Sequence, residues 1–161
     1  MRETLDSLAR SYKRLSVDVR GRMEFALDSD SDAAFAAAER EQEHLDQGFF
    51  VLAFAALERE INALFRARGQ ALGDARKTNF PKRLATASEI ARNVTGQMPA
   101  WIATTREIES WYEIRSDVAH GESPAASFDV VKVLNRANEI ATTREQVAQI
   151  LAAQTKGASD P

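Results

Sequence analysis

The sequence predicts an all-α fold, an up-and-down helical bundle of four to five helices. Apolar residues recur at intervals of three and four along nearly the whole chain, which is the period of amphipathic helices. Only 7 of the 161 residues are glycine and 4 are proline, too few for a turn-rich all-β fold. We therefore expect one helical-bundle domain over residues 1–154 and a disordered tail over 155–161.

The first two helices are separated by a short acidic segment. The first is predicted over about residues 4–27, on apolar positions from Leu5 to Met23. Residues 28–32 read Asp-Ser-Asp-Ser-Asp, which breaks that helix and offers N-cap side chains for the next. The second runs from Ala33 to near Gly69, either as one long helix or as two that abut near Gln47 and Gly48.

Three further helices follow. Pro81 suits the first turn of a helix over about 81–94, since its missing N–H is not needed there. Gly96 and Pro99 mark a break before a fourth helix over about 100–119. After a loop over 121–127, a last helix is predicted over about 128–153.

Composition excludes several kinds of site. The chain has no cysteine and two histidines, His44 and His120. Disulfides, thiolate zinc sites, iron–sulfur clusters and sites with three imidazoles from one chain are therefore excluded. The longest apolar run, Phe49 to Leu57, is far shorter than the ~20 residues that a membrane-spanning helix needs. We expect a cytoplasmic protein that uses no membrane and no cofactor.

One motif resembles a calcium-binding loop. Asp28, Asp30, Asp32 and Glu39 have the relative spacing of oxygen ligands in an EF-hand. The sixth position, normally glycine, is Ala33, and helix-forming residues follow it. We interpret these carboxylates as an acidic start to the second helix, and we expect no metal.

Positive charge is concentrated between residues 66 and 92. This segment holds seven Lys or Arg residues and two acidic ones, although the whole chain has a net charge of −3. Because phosphate binding depends on local charge, we name four candidates for RNA binding: Arg76, Lys77, Lys82 and Arg83. A solvated loop and helix face would explain the same residues.

The fourth predicted helix carries an unusual arginine. On a helical projection, Arg115 falls among apolar residues from Trp101 to Ala119, within about 60° of Ile108 and Tyr112. A guanidinium on an apolar face needs a partner or a wet cleft, because it cannot lose its proton. We expect that partner to be Glu58, on the inward side of the second helix, with Arg59 and Glu60 directed elsewhere.

The same helix is predicted to end at His120, since the next residue is Gly121. Carbonyl groups at a helix C-terminus favour a protonated imidazole, so this histidine could transfer protons near neutral pH. An arginine that binds phosphate and a histidine that moves a proton are the minimum for metal-free RNA cleavage. The 2′-hydroxyl attacks the adjacent phosphate once a base takes its proton.

The segment Arg115-Ser-Asp-Val-Ala-His120-Gly resembles the R-x4-6-H motif of the HEPN superfamily. The earlier segment FFVLAFAALEREIN also resembles that family, and the likeness extends over about residues 45–150. It implies a metal-independent endoribonuclease with Arg115 and His120 as catalytic residues, Glu58 and Ser116 supporting them. It also implies a homodimer, with a possible antitoxin protein as partner, in a toxin–antitoxin or phage-defence system.

Two other interpretations remain open from sequence. One is a non-catalytic HEPN module that binds RNA, a nucleotide or a partner protein through the same groove. The other is a structural helical bundle used for oligomerisation, in which Arg115 forms an internal ion pair and His120 only ends a helix.

Overall fold

Five α-helices make up the described parts of the chain, residues 2–67, 79–122 and 127–157, in a computed structural model. No strand occurs in these ranges, so the predicted all-α class is confirmed. A 3-10 helix, Ala100–Thr104, precedes the fourth α-helix. The helices are α1 (Arg2–Asp28), α2 (Asp32–Ala67), α3 (Phe80–Thr95), α4 (Thr105–Ala119) and α5 (Val130–Gly157).

The helix ends differ from the predicted ones in two places. α2 is one continuous helix through Gly48, where the sequence left open two abutting helices. α5 continues to Gly157, past the predicted end near 153, because its last residues are polar and compatible with an exposed helical turn. None of the described helices is long and apolar enough to cross a membrane.

Side chains at three helix starts accept hydrogen bonds from backbone N–H groups, and the sequence predicts such a cap in the acidic turn before α2. At the start of α3, the Asn79 side chain accepts from the N–H of Lys82 at 3.1 Å. Asp129 accepts from the N–H of Lys132 at 3.1 Å before α5. Within the acidic turn, Asp30 has a φ of 52°, and the Ser31 hydroxyl accepts from the N–H of Ala34 at 3.4 Å. Such caps satisfy N–H groups that have no partner inside the helix.

Helix α2 lies at the centre and contacts each of the other four α-helices. Its core residues are fully buried and include Phe50, Phe54, Leu57, Ile61 and Leu64. They pack against apolar side chains from the other helices, among them Phe80, Leu84, Ile90, Trp101, Ile108, Val133 and Ile140. The burial of these aromatic and aliphatic groups stabilises the bundle.

Paired contacts give the helix directions. Tyr12 bonds Asp46 and Arg22 bonds Glu41, so α1 and α2 are antiparallel. The 3-10 helix and α4 run antiparallel to α5, because Trp101 bonds Thr143 whereas Glu107 bonds Lys132.

Helices α2 and α5 run in the same direction. Phe50 contacts Phe128, just before α5, and Glu60 pairs with Arg144 sixteen residues further along it. Since α4 is antiparallel to α5, it is antiparallel to α2 as well. This relation decides which side chains of α2 and α4 can meet.

Candidate functional site

His120 ends α4 in a tightly bonded turn. Gly121 adopts the left-handed conformation with a φ of +74°, and its N–H donates to the carbonyl of Val118 at 3.1 Å. The N–H of Glu122 donates to the carbonyl of Asp117 at 2.9 Å. These two bonds form a Schellman motif, which glycine favours because it tolerates a positive φ. The predicted helix end at His120-Gly121 is confirmed.

The side chain of His120 is exposed to solvent at this end. Its backbone N–H donates to the carbonyls of Ser116 and Asp117, both at 3.1 Å. Ser116 is half-buried, and its contact with His120 is this main-chain bond. An imidazole on the last turn of a helix lies where unpaired carbonyl groups are concentrated.

Arg115 is half-buried one turn before the end of α4. Its Nε atom is buried and has no hydrogen-bond partner. No ion pair within 4.0 Å joins its guanidinium to another residue in the described ranges. A partly desolvated cation without a counter-ion favours binding an external anion.

The buried face of α4 is turned relative to the predicted one. Ile108, Trp111 and Ile114 are buried, Tyr112 is half-buried, and Ala119 is exposed. Arg115 consequently lies at the edge of the buried face, where the sequence predicted its middle. The difference arises from Tyr112. This residue lies beside the buried face of α4, and only its ring reaches the core, so it is a poor marker of the centre of that face.

The expected pair between Glu58 and Arg115 does not form. Glu58 instead accepts from the Nη2 atom of Arg83 at 2.6 Å, and the Nη1 atom of Arg83 donates to Asn62 at 3.1 Å. The guanidinium of Arg83 also lies 5.6 Å from the centre of the Phe80 ring. These contacts join α3 to α2.

The antiparallel arrangement of α2 and α4 explains this correction. Phe54 of α2 contacts Tyr112 of α4, with ring centres 6.2 Å apart. Glu58 lies four residues along α2 from that contact, and Arg115 lies three residues along α4 in the opposite direction. At 1.5 Å per residue, the two positions are separated by about 10 Å along the bundle.

An aromatic cluster holds α4 against α2 and α3 beside Arg115. The ring of Tyr112 stacks on Phe80, with centres 4.9 Å apart and planes inclined by 8°. Phe80 also contacts Phe54 at 5.2 Å. The sequence analysis missed Phe80, although its place next to Pro81 at a helix start could have marked it as an anchoring residue.

The structure describes two of the four candidates for RNA binding. Lys82 is exposed in the first turn of α3. The charge of Arg83 is offset by Glu58 inside the bundle, so Arg83 offers less attraction to an outside anion. Arg76 and Lys77 lie outside the described residues.

Two grooves on the described surface lie away from Arg115 and His120. One, of about 330 Å³, separates α3 from the start of α4 and includes Arg92 and Glu109 in its lining. The other, of about 380 Å³, lies between α1 and α5 and includes Val17 and Val131. The candidate residues thus lie at a surface and not in either groove.

The acidic residues near the α1–α2 turn do not gather as metal ligands would. Among the described residues, no three His, Asp or Glu side chains are close enough to hold a metal ion. Glu39 lies within α2, because the residues from Ala33 onward are helical.

Comparison with protein-family models, with curated proteins and with solved structures gave no match to this chain. The fold is therefore described as an all-α domain of five helices in its described parts. Any function has to be argued from the residues themselves.

Proposed function

We propose that the chain is a metal-independent endoribonuclease of the HEPN type, in which Arg115 binds phosphate and His120 transfers protons. The observation that supports this most is the state of Arg115. Its guanidinium is partly buried, carries an unbonded Nε and has no counter-ion among the described side chains. A phosphate oxygen would supply the missing acceptor and the missing negative charge.

The chemistry requires two proton transfers and the stabilisation of one negative charge. The imidazole of His120 takes the proton of the ribose 2′-hydroxyl, and that oxygen attacks the adjacent phosphorus. The bond from phosphorus to the 5′-oxygen breaks, and that oxygen receives a proton from the imidazolium of His120 or from water as it leaves. Arg115 stabilises the negative charge that builds up on the phosphate oxygens. The products are a 2′,3′-cyclic phosphate and a 5′-hydroxyl, and DNA is not cut because it lacks the attacking group.

The geometry of a single helix favours a dimeric active unit. Side chains on an α-helix lean towards its N-terminus, so the side chain of Arg115 leans away from His120. The Cα atoms of these residues are about 7.5 Å apart along the helix axis. A second copy that faces the first would bring the His120 of one chain towards the Arg115 of the other. The proposed active unit is therefore a homodimer.

The proposed setting follows from the same resemblance. A metal-independent ribonuclease of this type would act in the cytoplasm as a toxin of a toxin–antitoxin or phage-defence system, held in check by an antitoxin protein. Expression of the wild-type chain should then arrest growth, and expression of a His120→Ala variant should not. Unimpaired growth with the active chain would contradict this role without bearing on cleavage in vitro.

One observation favours a second candidate, a non-catalytic module that binds RNA, a nucleotide or a partner protein. The imidazole of His120 forms no hydrogen bond with a described residue, so none of the described residues orients its ring. Catalytic histidines are usually held by such a bond. Binding alone needs only the charge of Arg115.

Cleavage of a labelled RNA in the presence of EDTA separates the two candidates. We expect His120→Ala and Arg115→Ala each to lower the cleavage rate by about 10²-fold or more. The matched controls are His44→Ala and Arg106→Ala, since both residues are exposed and lie on other parts of the helices. An RNA with a single 2′-deoxy nucleotide at the cut position should resist cleavage.

Three outcomes can be told apart in this experiment. Cleavage that depends on both residues supports the ribonuclease. Salt-sensitive RNA binding without cleavage, lost in Arg115→Ala, would support the non-catalytic module instead. Equal behaviour of His120→Ala and His44→Ala in a preparation free of other nucleases would overturn the proposed mechanism.

A further inference from the structure

The groove of about 380 Å³ between α1 and α5 has a mostly apolar lining. It is called here the α1–α5 groove, and it is lined by six residues of α1 between Ala9 and Arg20 and by three residues of α5 between Val131 and Asn135. The α1 residues recur at intervals of three and four, so they form one continuous face of the helix. A volume of this size lies at the lower end of the roughly 300–1,000 Å³ that small-molecule sites occupy.

Aliphatic side chains from both helices supply the apolar surface of the α1–α5 groove. Leu134 is buried, whereas Val17 and Val131 are 58% and 50% exposed. Because the two valines line the same groove, one apolar ligand can cover both of them. Ala9 and Val17 are about 12 Å apart along the helix axis, a length that an extended chain of about ten carbon atoms matches. The apolar part of the groove therefore suits an unbranched aliphatic chain.

The charged side chains in the lining are both cations, Lys13 and Arg20. Both are exposed, and no ion pair within 4.0 Å joins either of them to another residue in the described ranges. Arg20 leans towards Val17, because side chains on an α-helix lean towards its N-terminus. A guanidinium can bind a carboxylate through two parallel hydrogen bonds, and an ammonium adds a second positive charge. The lining therefore favours a ligand with an apolar chain and one anionic group.

Two carboxylates lie close to the α1–α5 groove but do not line it. Asp46 and Asp129 are near Tyr12, since both raise its pKa in addition to the larger effect of burial. Asp46 accepts hydrogen bonds from Tyr12 and Gln42, and Asp129 accepts from the backbone N–H of Lys132. Both carboxylates thus have partners within the bundle, and Lys13 and Arg20 keep their charge for a ligand.

Acidic residues also continue the row of α1 beyond both ends of the groove. Glu3 and Asp6 precede Ala9, Glu24 lies four residues after Arg20, and all three acidic residues are exposed. An acidic protein segment that runs along α1 past the groove would meet like charges at both ends. A ligand whose single charge lies at Lys13 and Arg20 avoids this repulsion. The charges therefore favour a small molecule over an acidic segment of another protein.

We propose that the α1–α5 groove binds a free medium-chain fatty acid. The carboxylate is held by Lys13 and Arg20, and the aliphatic chain packs against Val17, Val131 and Leu134. The groove lies away from the two candidate catalytic residues. The proposal does not rest on the ribonuclease activity, because binding is measured in the absence of RNA.

Titration calorimetry of the full chain with decanoate tests the proposal. We expect a dissociation constant on the order of 10⁻⁴ M for the wild type. Acetate supplies the carboxylate without the chain, and decyltrimethylammonium supplies the chain with the opposite charge. Each of these two probes should bind at least about tenfold more weakly than decanoate, because each lacks one of the two contacts.

Three variants separate the contribution of the groove from that of the charge of α1. K13Q/R20Q should weaken decanoate binding by about tenfold. R10Q/R14Q removes the same number of exposed cations from α1 outside the groove and should bind as the wild type does. Ala9→Trp keeps both cations of the groove but fills part of its volume, and it should also weaken binding. Circular dichroism establishes that each variant is folded.

Nuclear magnetic resonance of the methyl groups locates the bound chain. Decanoate should shift the signals of Val17 and Val131. It should leave unchanged the signals of Leu52 and Met98, which are equally apolar and exposed. Met98 is a stringent control, since it lines the other groove, where Glu109 would repel a carboxylate.

Several results would overturn the proposal. One is the absence of decanoate binding, with or without binding of an acidic amphipathic peptide. Equal binding of decanoate and decyltrimethylammonium, or equal losses in K13Q/R20Q and R10Q/R14Q, would show that the cations of the groove do not hold the carboxylate. Shifts at Leu52 and Met98 as large as those at Val17 would indicate general adsorption to apolar surface.

Discussion

Glu60 of α2 pairs with Arg144 of α5 across the centre of the bundle, with Oε2 and Nε 2.9 Å apart. The side chain of Glu60 has no solvent exposure, and that of Arg144 is 20% exposed. Arg59 offers a weaker second contact, 3.6 Å from the other carboxylate oxygen. The fold therefore depends on the neutralisation of a buried charge at one point between its two longest helices.

Replacement of the arginine should destabilise the protein strongly. Arg144→Met leaves the Glu60 carboxylate buried with only the longer contact, and we expect the free energy of unfolding to fall by about 3–5 kcal/mol. Urea denaturation measures this change. As the control, Arg22→Met removes an ion pair whose two side chains are more than half exposed, and it should cost less than about 1 kcal/mol. Similar losses in both variants would contradict the burial of Glu60.

The glycine after His120 should matter for both stability and function. Gly121→Ala places a side chain at a φ of +74° and should cost about 1 kcal/mol of unfolding free energy. Gly96 offers a matched control, because it ends α3 with a φ of +67° far from the candidate residues. Both alanine variants should lose stability, but only Gly121→Ala should also lower RNA cleavage, by displacing His120. Equal cleavage by the two variants would argue against a functional His120.

A third prediction concerns the uninterrupted course of α2 through Gly48. A Cβ atom at this position meets nothing within 4 Å, and the backbone is helical. Gly48→Ala should therefore raise the free energy of unfolding by about 0.5–1 kcal/mol. Thermal unfolding followed by circular dichroism would detect the increase. A loss of stability would instead point to a break in α2 at this glycine.

Stability in alkaline solution should depend on Tyr12. Burial, together with the hydrogen bond to Asp46 at 2.8 Å, raises the pKa of Tyr12 from 10.0 to about 12. Above pH 10 the phenol ionises in the unfolded chain while it stays protonated in the folded one, so stability falls between pH 10 and pH 12. Tyr12→Phe should flatten that decline, which denaturation at several pH values would measure. An unchanged slope in the variant would assign the decline to other groups.

Periodicity and turn residues were enough to predict the class, the order of the helices, a helix start near Pro81 and a helix end at Gly121, because capping and apolar spacing are local properties. The pairing of side chains was not predictable in the same way. Glu58 and Glu60 are both on α2, and the sequence expected Glu58 to be paired inside and Glu60 to point away. In the structure Glu60 is the buried one and Glu58 joins Arg83. Which carboxylate meets which arginine depends on helix direction and rotation, and neither is encoded within a single helix.

The position of Arg115 along α4 was predictable from the sequence, but its burial and its lack of a partner among the described residues were not. Its position one turn before a helix end followed from spacing alone. That it lies at the edge of the buried face, with a buried Nε and no ion pair among the described residues, became clear only from the packing of α4 against the bundle. The assignment of a role to Arg115 and His120 stays a prediction until cleavage is measured.

The second half of α1 and the first half of α2 together form a helical arm. Its buried residues are small and include Val19, Ala26 and Ala38. None of these three belongs to the hydrophobic cluster that unites the other helices. Such a segment should open by itself without global unfolding, and its amide hydrogens should exchange with deuterium sooner than those near Phe54. Slow exchange in the arm at high protein concentration and fast exchange on dilution would reveal that association, and not the monomer's own packing, keeps it closed.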